Sequence, residues 1–262
     1  MKFSSALMLA TVSGAIATDP VEVLVCVEAL CPACEGFVTD YLLPTANTPG
    51  MNDIMKVTYV PYGNAKIDMD AKTVTCQHGD TECFANSYEQ CVIDIYPDQA
   101  DFLPFVACIA AVPTQFKMSQ DKTFQECAES SNLDFDVIKE CHDDADRAWD
   151  LQVKNSELTP VDHQYTPWIV IDDELYDNSS HDFQGAVCSA FAAKGGSSDA
   201  CTAALSSLSM LIRLSQPKDN PRSDIVTRTC WKLGNEKRRF SFSLCQKENV
   251  TSFPFVPSPP SY

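Results

Sequence analysis

The chain has 262 residues, 13 of them cysteine, and its 19 Lys/Arg against 36 Asp/Glu leave a formal charge of −17. That length accommodates one generous domain or two small ones with a buried core, and the acidity argues against a nucleic-acid partner, because phosphate binding needs basic patches. The charge is uneven: residues 1 to 201 carry 10 Lys/Arg against 32 Asp/Glu, residues 202 to 262 carry 9 against 4, so the composition changes near Cys201.

The opening "MKFSSALMLATVSGAIATDP" has a basic start at Lys2, a short apolar run and the small-residue stretch Ala15-Ile16-Ala17. The run falls short of the roughly 20 residues that span a bilayer, which predicts a secretory signal over residues 1 to 17, with an uncleaved anchor as the alternative. No later segment has the uninterrupted apolar length of a membrane helix, so no membrane span is expected after cleavage. Thirteen cysteines behind such a leader imply an oxidising compartment in which most are disulfide-bonded. Asn178 and Asn249 each open an Asn-x-Ser/Thr tripeptide and are candidate glycosylation sites of a secretory glycoprotein.

In "VEVLVCVEALCPAC", residues 21 to 34, alternating valines with Leu24 and Cys26 between them predict a central strand covered on both faces. Phe37, Val38, Tyr41 and Leu42 then recur at helical spacing, and Pro32 suits the first helical position, where its missing N–H costs nothing. Cys31 and Cys34 therefore straddle a strand-to-helix junction. Residues 55 to 63, "MKVTYVPYG", read as a second strand, parallel to the first through the intervening helix.

From Asp80 the pattern turns helical. Phe84, Tyr88, Cys91, Val92 and Ile95 form one stripe. Val137, Cys141, Ala145, Ala148 and Trp149 form another, capped by Asp134, with two shorter helices between them. Residues 76 to 158 thus read as a mostly helical insertion. A hairpin around Asp172-Asp173 follows, then a helix ended by Gly195 and Gly196. Beyond Cys201, "TAALSSLSMLIRL" has helical character, "NEKRRF" is a basic cluster, and the end is Pro-rich with the composition of a segment that does not fold alone.

A thiolate, not a thiol, attacks a disulfide, and the first cysteine of a C-x-x-C at a helix N-terminus is stabilised as thiolate by unpaired backbone N–H groups. Cys31 stands there, and Cys34, one turn on, is placed to resolve a mixed disulfide. A zinc site would need a second ligand pair at comparable spacing, and Cys76 with Cys83 has six residues between. A structural bridge across so short a loop gains little from closure. Redox chemistry is the reading the residues favour over these two. In a thioredoxin-like fold the strand after the crossover begins with a cis proline that faces the C-x-x-C and leaves the preceding backbone free to pair with substrate, and Thr166-Pro167-Trp168 stands just before "IVID", where that proline belongs. Pro32 and Ala33 place no charge between the cysteines, so thiolate stabilisation must come from the helix end and neighbouring groups.

"CQHGDTECFANSYEQC", residues 76 to 91, resembles the signature of the gamma-interferon-inducible lysosomal thiol reductase family, C-Q-H-G-x-x-E-C-x-x-N-x4-C, with Cys76, Gln77, His78, Gly79, Glu82, Cys83, Asn86 and Cys91 in place. The resemblance covers about residues 21 to 201. It implies an α/β, thioredoxin-like fold with a disulfide-stapled helical insertion, and a protein disulfide reductase working at acidic pH in endosomes, lysosomes or outside the cell. It leaves residues 202 to 262 as an extension without a family counterpart. Catalysis then falls to Cys31 and Cys34, substrate binding to Thr166 and Pro167. No cofactor or metal is expected, only an external small-thiol reductant and disulfide-bonded protein substrates. Eight of the remaining cysteines suffice for four bridges, of which Cys188 with Cys201 is the one pairing assigned; Cys230 and Cys245 make another candidate pair, and Cys26 is left as a buried thiol. His78, beside Gly79 and two cysteines, is read as a turn residue bonded to backbone rather than as a proton carrier. A non-catalytic secreted binding module, and an oxidase or isomerase on the same fold, are the rival functions.

Overall fold

The structure is a computed structural model that describes residues 18–112 and 121–202. The expected signal segment, Asn249, Cys230, Cys245 and all but the first residue of the 202–262 extension lie outside the described residues.

The centre is strand β1 (Val21–Val27), flanked by parallel β2 (Met55–Pro61) and antiparallel β5 (Trp168–Ile171), with β6 (Glu174–Leu175) beyond, in the order β2-β1-β5-β6. Val21 lies opposite Met55 and Val27 opposite Pro61 across one edge of β1, and Cys26 lies opposite Trp168 across the other. Val21, Val23, Val25 and Val27 are each at most 1% exposed, and full burial of such a side chain stabilises by about 1.5–3 kcal/mol. The other face is covered only towards its C-terminal end: Glu22 is exposed, Leu24 half-buried, and Cys26 packs with Val60, Tyr62 and Trp168. The expected two-sided burial thus holds at the end of β1 that leads into the cysteine pair.

Helix α1 (Pro32–Phe37) runs through a π-helical turn (Val38–Leu42) into α2 (Leu43–Ala46). Pro44 has no N–H to return to the preceding turn, and the widened turn lies just before it. A small hairpin, β3 (Lys66–Asp68) with β4 (Thr73–Thr75), follows β2. It is too short to leave a periodic signal and was not expected from sequence.

The insertion is helical: α3 (Asp80–Ile95), α4 (Gln99–Ala111), α5 (Asp121–Ser130), α6 (Phe135–Asp143) and α7 (Ala145–Leu158). The stripe expected from Val137 to Trp149 on one helix is corrected. Asp144 takes an extended conformation (φ −75°, ψ 101°) and its carboxylate accepts the N–H groups of Asp146 and Arg147, starting α7 afresh. An aspartate that satisfies the free donors of a new helix competes with continuation of the old one. Val137 is consequently 38% exposed and Ala145 exposed, while Ile138 and Cys141 are fully buried. Asp134 caps α6 through the N–H of Asp136.

Four disulfides tie these parts: Cys91–Cys141 joins α3 to α6, Cys108–Cys127 joins α4 to α5, Cys76–Cys83 closes the loop entering α3, and Cys188–Cys201 anchors the final helix, α8 (Phe183–Ala193). Between α3, α5 and α6, Tyr88 stacks on Phe124 and His142, with ring centroids 4.3 and 3.9 Å apart. The β5–β6 turn holds Asp172 and Asp173 at φ 45° and 69°, the left-handed region that Asp tolerates in hairpin turns. Asp172 Oδ1 accepts from the Glu22 N–H and from Lys194 Nζ, pinning α8's end to the sheet edge.

Candidate active site

Cys31 is the cap residue of α1, with Leu30 before it at φ 66° making the turn out of the strand and Pro32 at the first helical position. Its Sγ accepts the Cys34 N–H at 3.4 Å. Cys31 is 8% exposed and Cys34 2%. Facing them is the cis Thr166-Pro167 peptide, with Thr166 Oγ1 3.6 Å and the Thr166 carbonyl oxygen 4.0 Å from Cys31 Sγ. The structure therefore brings together all four residues singled out for catalysis and substrate binding.

The two thiols are driven in opposite directions. Cys31 is lowered to about 6, first by the hydrogen bond from the Cys34 thiol, against the cost of its own burial, and further by the Cys34 N–H and Thr166; the Glu28 charge opposes. Cys34 is pushed far up, first by burial and then by the bond it gives to Cys31. The pair is thus an outer thiolate over an inner thiol. Cys26, also free, lies within β1 on its covered face and is pushed up by burial to about 12, which keeps it a thiol.

Beside the pair runs a groove of about 520 Å³ whose walls include Phe37, Tyr41, Tyr165, Thr166, Pro167 and His181. Phe37, Tyr41, Tyr165 and Tyr176 supply its aromatic surface, Asp40 also lines it, and the Tyr41 hydroxyl is 2.8 Å from His181 Nδ1. Asn178, singled out from sequence as a glycosylation candidate, belongs to this wall: its Nδ2 donates to the Pro167 carbonyl at 2.9 Å. The atom that would carry a glycan is turned towards the cis-proline loop.

Sequence reading missed Glu28, at the end of the buried strand. It is 2% exposed. Its carboxylate accepts from the Asn64 N–H (2.8 Å), from Asn64 Nδ2 (3.4 Å) and from the Thr166 hydroxyl (3.2 Å). An ionisable residue directly after the apolar run Val23–Val27, three positions before Cys31, was the available signal. Gly63, at φ 57°, presses its backbone on this side chain, and a Cβ there would collide with the carboxylate. His78 corrects the expectation of a backbone-bonded turn residue. Its Nδ1 pairs with Glu82 Oε2 at 2.6 Å, while its own N–H donates to the same oxygen at 2.7 Å, because Gly79 at φ 82° opens α3 and turns Glu82 back over the loop. Nδ1 is also 3.9 Å from Glu28 Oε1. Burial, and next the Glu28 charge, raise the Glu82 carboxyl against the pull of the His78 bonds. These ligand-type atoms of Glu28, His78 and Glu82 lie within 4.8 Å of one another; Glu82 Oε2 is engaged by His78, while the buried Glu82 Oε1 has no hydrogen-bond partner. His142 is stacked in the helical core, its Nδ1 3.0 Å from Ser87 Oγ, and burial lowers it.

Two solved structures share this architecture: BdbD from Bacillus subtilis (21% identity, TM-score 0.50, covering 68% of this chain and 89% of that one) and reduced DsbA from Mycobacterium tuberculosis (18%, 0.51, 78% and 95%). At those identities the likeness speaks for the fold. Fold and site together define a thiol–disulfide oxidoreductase of thioredoxin-like fold, elaborated by a disulfide-stapled helical insertion. Residues 22–131 match the family model "Gamma interferon inducible lysosomal thiol reductase (GILT)". The chain is 31% identical over 173 residues to the gamma-interferon-responsive lysosomal thiol protein of Arabidopsis thaliana, covering 64% of this chain and 69% of that protein. It is 30% identical over 191 residues to the gamma-interferon-inducible lysosomal thiol reductase of Carassius auratus, covering 70% and 72%. The chain belongs to the gamma interferon inducible lysosomal thiol reductase family.

Proposed function

We propose that Cys31 is the nucleophile and Cys34 the resolving thiol of a reductase of protein disulfides that works in acidic conditions. The observation that carries this is the opposed setting of the two sulfurs. At pH ~5 a thiol at about 6 is roughly 9% thiolate, where an ordinary one near 8.5 is roughly 0.03%. The Cys31 thiolate attacks one sulfur of the substrate bridge, forming a Cys31–substrate disulfide and expelling the other substrate sulfur as a thiolate that takes up a proton. Cys34 loses its proton, attacks Cys31 Sγ and releases the second substrate thiol, leaving Cys31–Cys34 oxidised. Two molecules of a small-thiol reductant return the pair to the dithiol and leave as their own disulfide, so two electrons pass from reductant to substrate. The Thr166 backbone and Pro167 hold the substrate strand, and the aromatic groove takes the residues flanking its cysteine.

A lowered thiolate also stabilises the reduced enzyme and so favours an oxidant. Cys31 at about 6 lies nearer thioredoxin, about 7, than DsbA, about 3.5, which favours the reductase. Residues 1 to 17 are proposed as a secretory signal and the destination as an acidic organelle or the extracellular space; the four disulfides support an oxidising route. No helix among the described residues is long and apolar enough to cross a membrane.

The test is reduction of a disulfide-bonded protein by the purified chain with a small thiol at pH ~5 and ~7. Activity at the lower pH that disappears in Cys31→Ser, with a mixed disulfide accumulating in Cys34→Ser, supports the assignment. Full activity of Cys31→Ser refutes it.

A further inference from the structure

Two carboxylates meet in the interior beside the loop closed by Cys76–Cys83. Glu28 follows β1, and Glu82 lies in the first turn of α3 with its side chain 0% exposed. Among the described residues, the basic group within ion-pair distance of either is His78, whose Nδ1 is 2.6 Å from Glu82 Oε2 and 3.9 Å from Glu28 Oε1. Burying a charge is costly unless an opposite charge or a metal compensates it, and one imidazole offsets at most one of two carboxylates. Asn64 and Thr166 donate to Glu28, but Glu82 Oε1 is buried without a hydrogen-bond partner. It shares its carbon with the oxygen that touches His78, so an unused acceptor lies beside the imidazole.

One ligand atom from each of these three residues lies within 4.8 Å of the other two. Two atoms bonded to one zinc ion at about 2.0–2.2 Å are at most about 4.4 Å apart. His78 Nδ1 and Glu28 Oε1, at 3.9 Å, therefore fit around one ion, with Glu82 offering either oxygen as the third ligand. An imidazole beside carboxylates suits zinc and its transition-metal neighbours, whereas calcium and magnesium take oxygen throughout. We propose that Glu28, His78 and Glu82 bind one zinc ion, through His78 Nδ1 and one oxygen of each carboxylate, with water in the remaining position. A doubly charged cation against two carboxylates cancels the buried charge. The ion replaces the contact between His78 Nδ1 and Glu82 Oε2, and the imidazole then carries its proton on Nε2.

The ligands come from parts of the chain that only the fold unites, which is why the sequence, weighing zinc for its cysteines alone, pointed to no metal. His78 is 35% exposed and gives the ion a way in from solvent to the two buried carboxylates. Gly79, at φ 82°, lets the loop turn Glu82 back over His78. Zinc would thus fasten the loop of the family signature to the end of β1, three positions before Cys31. The rival occupant is a buried water. Asn86, one turn beyond Glu82, gives its Oδ1 to the Ala29 N–H at 2.9 Å and leaves its Nδ2 without a partner. A water between Asn86 Nδ2 and Glu82 Oε1 would satisfy both and bring no metal.

The experiment titrates zinc into the full chain by calorimetry at pH ~7, since metal ligands must be deprotonated. The chain is first stripped with EDTA, with Cys31 and Cys34 joined as a disulfide and any remaining thiol alkylated, so that no sulfur takes the ion. One zinc per chain at micromolar affinity or tighter is expected, together with a higher Tm when zinc is present. Loss of a direct ligand in His78→Asn or Glu82→Gln is expected to weaken binding at least tenfold. Cobalt(II) in place of zinc should give a d–d absorption that His78→Asn abolishes, without a sulfur-to-metal charge-transfer band. Absence of stoichiometric zinc in the unsubstituted chain overturns the site in favour of the water, a result that needs no variant to fold. Zinc held as tightly by His78→Asn as by the unsubstituted chain also overturns it, because the ion then sits elsewhere. Binding is read in the oxidised chain, so this outcome is separate from the assignment of Cys31 as nucleophile.

Discussion

Replacing Cys34 tests the source of the Cys31 thiolate more directly than replacing Cys31. The largest stabilising influence on that thiolate is the hydrogen bond from the Cys34 thiol, ahead of the Cys34 N–H and Thr166. Cys34→Ala removes this donor and keeps the N–H; Cys34→Ser keeps both. A hydrogen bond to a charged group contributes about 1.5–3 kcal/mol, which corresponds to a rise of about 1–2 units at Cys31. From a starting point of about 6, the thiolate fraction at pH ~5 would fall from roughly 9% to between about 1% and 0.1%. A more basic thiolate is more nucleophilic, with a Brønsted slope of about 0.4–0.5, which returns about 3- to 8-fold. The net expectation is an alkylation rate at pH ~5 that drops about 3- to 12-fold in Cys34→Ala, with Cys34→Ser close to the unsubstituted chain. The assay is iodoacetamide labelling of Cys31 across pH 4 to 9, read by mass spectrometry of the peptide that carries it. If the Ala and Ser variants titrate together near 6, the Cys34 side chain is not what holds the thiolate, and the Cys34 N–H and Thr166 must carry it.

Two further outcomes follow from the scaffold. Removing the Cys91–Cys141 bridge, which closes a separation of 50 residues, should cost about 4 kcal/mol in urea unfolding, against about 2.5 kcal/mol for Cys76–Cys83 with its separation of 7; an equal cost would show that loop entropy is not the controlling quantity. His142 is kept below its ordinary value by burial, so the unfolded chain takes up a proton near pH 6.5 that the native chain declines. Its effect on stability is therefore a loss as pH falls from about 6.5 through the lowered native value. His142→Gln should show a smaller drop in Tm between pH 7 and 5 than the unsubstituted chain, and an equal drop would place the acid sensitivity elsewhere.

Much of the site was legible because it is local in sequence. Apolar alternation into Cys31, Pro32 at the first helical position and Cys34 one turn later specify a strand, a turn and a helix whose geometry needs no distant contact. The helix of residues 80–95 and the hairpin at Asp172-Asp173 were legible for the same reason, since capping, periodicity and turn chemistry act over a few residues. The break at Asp144 was not, because a capping aspartate and a surface aspartate on a continuing helix look alike until packing decides which apolar face is covered.

What sequence by itself determined was the chemistry available: a C-x-x-C at a helix start, a cysteine-rich insertion, and a proline placed to face them. Tertiary structure alone decided how that chemistry is set. Thr166 lies 135 residues from Cys31, Asn64 36 residues from Glu28, and His78 and Glu82 approach Glu28 from another element. Hydrogen bonds and charge interactions act over a few ångströms whatever the separation along the chain, so the partners that raise or lower a sulfur become known only when the fold brings them within reach.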